Sequence, residues 1–406
     1  MRRQPALLLT LCVAALLLVG CAPTRHHEAA RLLHDLAAGT GASPLKRATP
    51  TPLRETVSYT VDGRARRADL YLPGPLAACT TPGTQVSTQL AQLPANCPRA
   101  TLIAVPGAVP HANRDPRFAA FATTLARAGF AVLAPEMPGF RALRVRPQDA
   151  REIADAFRHA LSRPELAPEG RAGLFAFSYA VGPAVLAALE ADIRDEVRFV
   201  VALGGYHDLP RAMRFFTTGW FEHDGAWQHL TPDDSGRMVL AYASLDYLGN
   251  AADAALFEQM VALRLKDAAA DLAPLSQGLS EAGRAVYALA VNSDPARFPQ
   301  LLAGLPAAMR ADLERLDLAR HDLSGLKARL WLVHGRNDNL IPWPESLALA
   351  AAAPAGHARV FLIQRVLGHV DFAVADLSSG RFWSEDLPDL WRLWRVIDLL
   401  LAERSA

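Results

Sequence analysis

Three side chains in this sequence could together drive nucleophilic chemistry: Ser178, Asp338 and His369. Ser178 sits in Leu174-Phe175-Ala176-Phe177-Ser178-Tyr179-Ala180, where a short apolar strand ends and an Ala-rich helix begins. A side chain on such a tight turn is pushed clear of its neighbours, and the start of the following helix favours negative charge. Small residues two before and two after the serine keep the turn uncrowded, and here both are alanine. A serine hydroxyl alone is a poor nucleophile. It needs an adjacent base, and that base needs an orienting acid. Asp338 follows the apolar run Leu330–Val333, and His369 follows the run Val360–Val366, so all three candidates fall at strand ends. Each has a plainer reading alone. A-x-S-x-A arises by chance where alanine is abundant, Asp338 could cap the helix after it, and His369 could be a satisfied loop histidine. Their coincidence points to acyl transfer.

The elements that must hold these residues are legible as a rhythm. Glu55–Val61 and Arg67–Leu72 alternate apolar and polar residues across Asp62-Gly63, which predicts a hairpin. From Thr101 the pattern becomes strand-helix alternation. Strands are expected at Leu102–Val105, Ala131–Ala134, Ala172–Phe177 and Phe199–Leu203, with helices at Phe118–Arg127, Asp149–Leu161 and Tyr179–Leu189. Apolar strands separated by helices argue an α/β chain with a mostly parallel sheet covered on both faces. The alternation resumes at Leu330–Val333, with a helix near Glu345–Ala352, the strand Val360–Val366 and a last helix Leu387–Ala402. Between 208 and 322 the strand rhythm is lost. That stretch is rich in Ala and Leu, with aromatics at Phe215, Phe216, Trp220, Phe221 and Trp227, and reads as a helical cap inserted into the sheet's sequence. Its aromatics either line a pocket or form the cap's own core.

These segments resemble the α/β-hydrolases. Ser178 stands where that family has its nucleophile elbow, G-x-S-x-G, with both glycines replaced by Ala176 and Ala180. His334-Gly335-Arg336-Asn337-Asp338-Asn339-Leu340-Ile341-Pro342 resembles the acid loop H-G-x-x-D-x-x-V/I-P, and Leu367-Gly368-His369-Val370-Asp371-Phe372 resembles the histidine loop G-H-x-x-F. Val132–Gly139 is similar to the family's V-x-A-P-D-x-P-G, with Glu136 for Asp. The resemblance implies Ser178 as nucleophile, His369 as base and Asp338 as acid, in the family's chain order. Asp208 is a reserve acid, and Asp371 a loop hydrogen-bonding residue. An oxyanion hole is implied from the backbone N–H of Tyr179 and a second amide after Val105. There the family's H-G is replaced by Pro106-Gly107, so Ala108 or Val109 supplies the donor. Pro183, early in the helix after the serine, removes an intrahelical bond and adjusts its first turns. The resemblance covers about 55–208 and 322 to the C-terminus, and not the cap. It implies an ester-cleaving hydrolase; an amidase, peptidase or acyltransferase would use the same three residues. A non-catalytic binding module would keep the fold, but has no use for all three.

Composition narrows the remaining classes. The chain has 406 residues, 51% hydrophobic and 20% charged, enough for one elaborated domain or two. A net charge of +1 gives no basic surface for nucleic acid. The sequence has no H-E-x-x-H, no G-x-x-x-x-G-K-[ST] and no dinucleotide fingerprint, so no metal or cofactor is implied. Arg2 and Arg3 precede an uncharged run of 14 residues, Ala6–Val19, too short to span a bilayer comfortably and fitting a signal peptide over 1–20. It ends in Leu18-Val19-Gly20-Cys21, which resembles the lipobox of bacterial lipoproteins. That implies lipidation of Cys21 and a chain held at a membrane of the cell envelope, the outer membrane if the source is Gram-negative, since no Asp follows the cysteine. An ordinary secretory signal is the alternative. Residues 21–52, with Gly39, Gly41, Pro44, Pro50 and Pro52, read as a lipidated tether holding a short helix at 28–38 and a solvated His26-His27. The hydrolase core then takes 53–207 and 323–406 around the cap at 208–322. Cys79 and Cys97 flank a polar segment, and in an exported chain they read as a disulfide, with two free thiols the alternative. The expected partners are a small-molecule or lipid acyl substrate and, through the N-terminal lipid, a membrane.

Overall fold

In a computed structural model of the chain, residues 24–79, 94, 96–267, 269–371 and 380–404 are described. Among them an eight-stranded sheet forms the centre. It is built from β1 (Leu53–Val61), β2 (Arg64–Leu72), β3 (Ala100–Val105), β4 (Phe130–Pro135), β5 (Ala172–Phe177) and β6 (Phe199–Leu203). A separate hairpin, β7 (Trp220–His223) with β8 (Ala226–His229), lies outside it, and β9 (Arg329–Gly335) and β10 (Ala358–Ile363) complete the sheet. The strand order is β1-β2-β4-β3-β5-β6-β9-β10, and only β2 runs against its neighbours. β3, β4 and β6 are buried at every position, as a sheet covered on both faces requires. This is the α/β-hydrolase fold expected from the sequence.

Helices α1 (Thr24–Ala38), α2 (Pro116–Arg127), α3 (Asp149–Leu161), α4 (Val181–Ala187), α5 (Leu209–Thr218), α6 (Ser235–Ser244), α7 (Ala251–Lys266), α8 (Glu281–Ala290), α9 (Ala307–Leu316), α10 (Pro344–Ala352) and α11 (Leu387–Ala402) surround it. One face of the sheet packs against α3, α4 and the helices between β6 and β9. The other packs against α1, α2 and α11. The even and odd positions of each strand are thus committed to different helical layers.

The structure corrects two expectations. From residue 24 onward the N-terminal segment is not a tether. α1 sets Ala29, Leu32 and Leu33 into the core at helical spacing, against α2 and α11. Its buried Asp35 accepts hydrogen bonds from Thr124 Oγ1 (2.6 Å) and the Ser43 hydroxyl, and pairs with Lys46 Nζ (2.9 Å). Arg25 pairs with Asp398 at 2.7 Å, and the Trp394 indole N–H donates to the His26 carbonyl at 3.1 Å, so His26 is docked and not free in solvent. The glycines and prolines after Ala38 do punctuate the chain, but they turn a packed helix towards β1. The signal peptide and Cys21 lie outside the described residues.

The second correction concerns the cap region, which is not wholly helical. Asp224 and Gly225 both take positive φ (52° and 73°), the type I′ turn that joins β7 to β8. Phe221 from this hairpin, Phe215 from α5 and Trp343 form a small separate core, while Trp220 and Trp227 stay exposed.

Cys79 and Cys97 form a disulfide with Cα atoms 5.6 Å apart, while 80–93 and 95 lie outside the described residues. Replacing both cysteines by serine is expected to lower unfolding free energy by about 3 kcal/mol, from loop entropy over a separation of 18 residues. A fall in the urea midpoint, with a slope that rises as the unfolded chain expands, would show this.

Candidate active site

β5 ends in extended backbone at Phe177, and the next residue turns sharply: Ser178 has φ +55°. A non-glycine residue in this left-handed region costs about 1–2 kcal/mol, so the surroundings must hold it there. Ala176 and Ala180 on either side are fully buried, which leaves no room for larger side chains. Pro106-Gly107, following β3, passes directly beside the serine. A Cβ on Gly107 would stand 3.3 Å from Ser178 Cβ and 3.9 Å from its Oγ. The chain after Ser178 makes one 3-10 turn and then the short helix α4, in which Pro183 is buried.

The other two candidate residues arrive from β9 and from the loop after β10. His369 Nε2 lies 2.6 Å from Ser178 Oγ, and His369 Nδ1 lies 2.7 Å from Asp338 Oδ2. Asp338 has no solvent exposure, and the His369 side chain is 10% exposed. Burial opposes ionisation of Asp338, but His369, the His334 hydrogen bond and the charges around them hold its carboxyl well below the usual carboxylate range. Leu340 and Ile341 also donate their backbone N–H groups to Asp338 Oδ1, at 2.8 and 2.9 Å. An ionised carboxylate only accepts hydrogen bonds, so His369 Nδ1 is the protonated nitrogen. Nε2 is then left as the acceptor for the serine O–H. This is the tautomer a general base needs.

Two further residues complete the arrangement. Buried His334 faces the Ile341 carbonyl (3.0 Å) and Asp338 Oδ2 (3.2 Å) with Nε2, so that nitrogen is a donor, and Nδ1 accepts from Ser346 Oγ (2.7 Å). His334 stands within the acid-loop motif without a task there; its place as the penultimate residue of β9 is the signal the sequence offers. Gly204, just after β6, has φ +62°, and a Cβ there would meet the His369 carbonyl at 2.9 Å and Asp338 Oδ2 at 3.2 Å. No side chain fits between acid and histidine.

The reserve acid is placed elsewhere. Asp208 accepts the Arg211 backbone N–H (2.8 Å) as the N-cap of α5 and pairs with the Arg211 side chain, and its own N–H donates to Glu345 Oε2 (2.7 Å). Asp371 is exposed and pairs with Arg117 at 2.9 Å.

The loop after β3 is fastened from below: Asn113 Nδ2 donates to buried Asp69 Oδ2 of β2 at 2.8 Å. Tyr179, in the first turn after Ser178, carries a backbone N–H without an intrahelical acceptor. A cavity of about 670 Å³ opens at Ser178, bounded by Pro106–Val109, Tyr179 and His369 and roofed by residues of α5, α6 and α9. Phe216 is among its walls, whereas Phe215 and Phe221 belong to the small core around Trp343. Among the described residues no cluster of three or more His, Cys, Asp or Glu could hold a metal ion, and no helix is long and apolar enough to cross a membrane.

No protein-family model matches the chain, and comparison with curated protein sequences finds no match. Among solved structures the chain is similar to a puromycin-hydrolyzing peptidase of Mycobacterium tuberculosis, with 14% identity and a TM-score of 0.46, over 87% of this chain and 39% of that one. It is similar to the esterase domain of a Rhodothermus marinus protein (16%, TM-score 0.39, 86% and 97% covered). A 2,6-dihydroxy-pseudo-oxynicotine hydrolase is a third (14%, TM-score 0.44, 98% and 87% covered). The chain spans about two fifths of the length of the first of these and of an acylaminoacyl peptidase of Pyrococcus horikoshii.

The tyrosine beside Ser178 is held by a buried acid. Tyr179 O–H donates to Asp149 Oδ2 at 2.9 Å, and Arg146 N–H donates to the same oxygen at 2.9 Å. Burial raises the Asp149 carboxyl to about 7, against those two hydrogen bonds. The folded state therefore binds a proton that the unfolded chain has lost between about pH 4 and pH 7, and stability falls as pH rises through that window. Asp149→Asn keeps an acceptor for both donors and removes the charge. It is expected to flatten the fall and to make the variant more stable than wild type at pH 8, as read from denaturant midpoints across pH.

Proposed function

We propose that this protein is a serine hydrolase that cleaves a carboxylic ester through an acyl-enzyme. One observation carries the reading: a serine held at positive φ on a strand-to-helix turn, its Oγ 2.6 Å from an imidazole oriented by a buried carboxylate. Ser178 Oγ attacks the acyl carbon while His369 Nε2 takes its proton. The carbonyl oxygen becomes negative and is met by the backbone N–H groups of Tyr179 and Ala108. His369 returns the proton to the leaving oxygen, and the alcohol departs. Water, deprotonated by the same nitrogen, then releases the acid and restores Ser178. Asp338 stays ionised throughout and stabilises the imidazolium. An ester is favoured over a peptide because the cavity walls are mainly hydrocarbon, where a peptide's buried amides would lack partners.

The same proposal places the protein on a membrane of the cell envelope through lipid on Cys21. Only three peptide steps separate Cys21 from Thr24, the first residue of α1, a reach of about 10 Å. A body anchored this way would rest against the bilayer and not sample a wide radius.

Fluorophosphonate is expected to label the wild-type protein stoichiometrically and to leave Ser178→Ala and His369→Ala unlabelled. A well-folded wild type that takes no label would sink the proposal. Asp338→Asn is expected to lower kcat by about 10⁴ through the wrong histidine tautomer. For the anchor, Cys21→Ser should move the protein from the membrane pellet to the soluble fraction; a wild type already soluble would remove the anchor and leave the enzyme reading intact.

A further inference from the structure

The cavity at Ser178 has two arms. One lies beneath the insertion, among Met213, Met238, Leu240, Met309 and Leu316. The other crosses the C-terminal edge of the sheet to its opposite face. There Leu36 of α1, Phe121 of α2, Phe177 of β5 and Leu393 and Ile397 of α11 enclose a second chamber beside Val370. The arms meet at Pro106–Val109, Ser178 and His369.

The second chamber is walled mainly by hydrocarbon from four separate elements, and the paired charges of Asp115, Arg117 and Asp371 also line the cavity. Phe121 stands edge-on to Phe175 and Phe177, with ring centroids 4.7 and 5.0 Å apart. Leu36, Phe121, Phe177 and Val370 are only partly buried although their neighbours are core residues. Native interiors leave few voids larger than a water molecule, and an apolar void destabilises in proportion to its volume. The total volume, about 670 Å³, falls within the range of about 300–1,000 Å³ typical of small-molecule sites. One wall comes from α1, which lies before the part of the chain that resembles the α/β-hydrolases.

A carbonyl held at Ser178 has its acyl chain on one side and its alkoxy group on the other. We infer that the chamber walled by α1, α2 and α11 is a hydrocarbon-binding subsite, so that the substrate is an ester with an apolar chain on each side of the scissile bond. This rests on the hydrolase reading of Ser178. One chain lies under the insertion, and the other passes His369 and Val370 into the chamber behind the sheet.

Two ester series test it on the full chain: acids of increasing length on ethanol, and acetates of alcohols of increasing length. In wild type kcat/KM is expected to rise with length in both series, by up to about fourfold per buried methylene. Ala120→Trp on α2 and Leu36→Trp on α1 each fill the second chamber from a different helix. Either is expected to abolish the rise in one series, read as the long-to-short ratio, while the other series keeps its slope. A flat wild-type response in one series would overturn the inference, as would a loss of both slopes together in both variants. Binding separates this from the hydrolase reading. Ser178→Ala should bind a fluorescent long-chain alcohol, and adding Ala120→Trp should weaken that binding, since only the arm beneath the insertion stays open. Binding without fluorophosphonate labelling of wild type would leave the chamber and remove the hydrolase. Labelling with no binding and no dependence on length would do the reverse.

Discussion

A single buried negative charge organises this molecule. Asp338 has no contact with water, and an unpaired carboxylate in such a place would cost several kcal/mol. It is kept ionised by donors from three places: the amides of Leu340 and Ile341 in its own loop, His334 at the end of β9, and His369 from beyond β10. Each donor has a fixed direction. His334 can give Nε2–H because Ser346 of α10 engages its other nitrogen. The last loop is drawn to the sheet by the same charge, and with its Nδ1 committed, His369 can turn only Nε2 towards Ser178. Electrostatics and tautomer choice are here one constraint.

The sheet supplies the geometry that lets this charge reach a serine. Parallel neighbours β3, β5, β6 and β9 end on the same edge, so Gly107, Ser178, Gly204 and Asp338 emerge side by side. The spacing there is tight enough that Gly204 admits no Cβ, and a Cβ on Gly107 would crowd the serine. The strain of Ser178 at positive φ is stored in that crowding. Asp69, on the one antiparallel strand of the interior order, holds Asn113 and so steadies the loop that passes the serine.

Around this edge the chain adds two coverings of different origin. The segment between β6 and β9 roofs one face, and the N-terminal α1 closes the other with α2 and α11. Both leave hydrocarbon facing the serine. The chemistry proposed for the site needs only the edge; the choice of what reaches it belongs to the coverings.

The sequence by itself determined the pieces whose signals are local. Continuous apolar runs marked β5 and β6 to the residue, the spacing of α3 was read with its observed ends, and Asp62-Gly63 announced the first hairpin. Ser178, Asp338 and His369 were legible because each stands in a short motif at a strand end. The same kind of signal was present at Asp224-Gly225 and was overridden by the helical character of the residues around it. What only the tertiary structure decided depends on contacts between distant segments. The Gly and Pro residues after α1 suggest a tether, and nothing near them reveals the apolar faces of α2 and α11 that bury Leu32 and Leu33. Asp208 and Asp338 are equal as aspartates after strands; they differ because one is spent capping α5 and the other lies between two histidines. The cavity that runs through to the opposite face of the sheet has no sequence signature, because its walls look like any other core residues until the fold leaves the space between them unfilled.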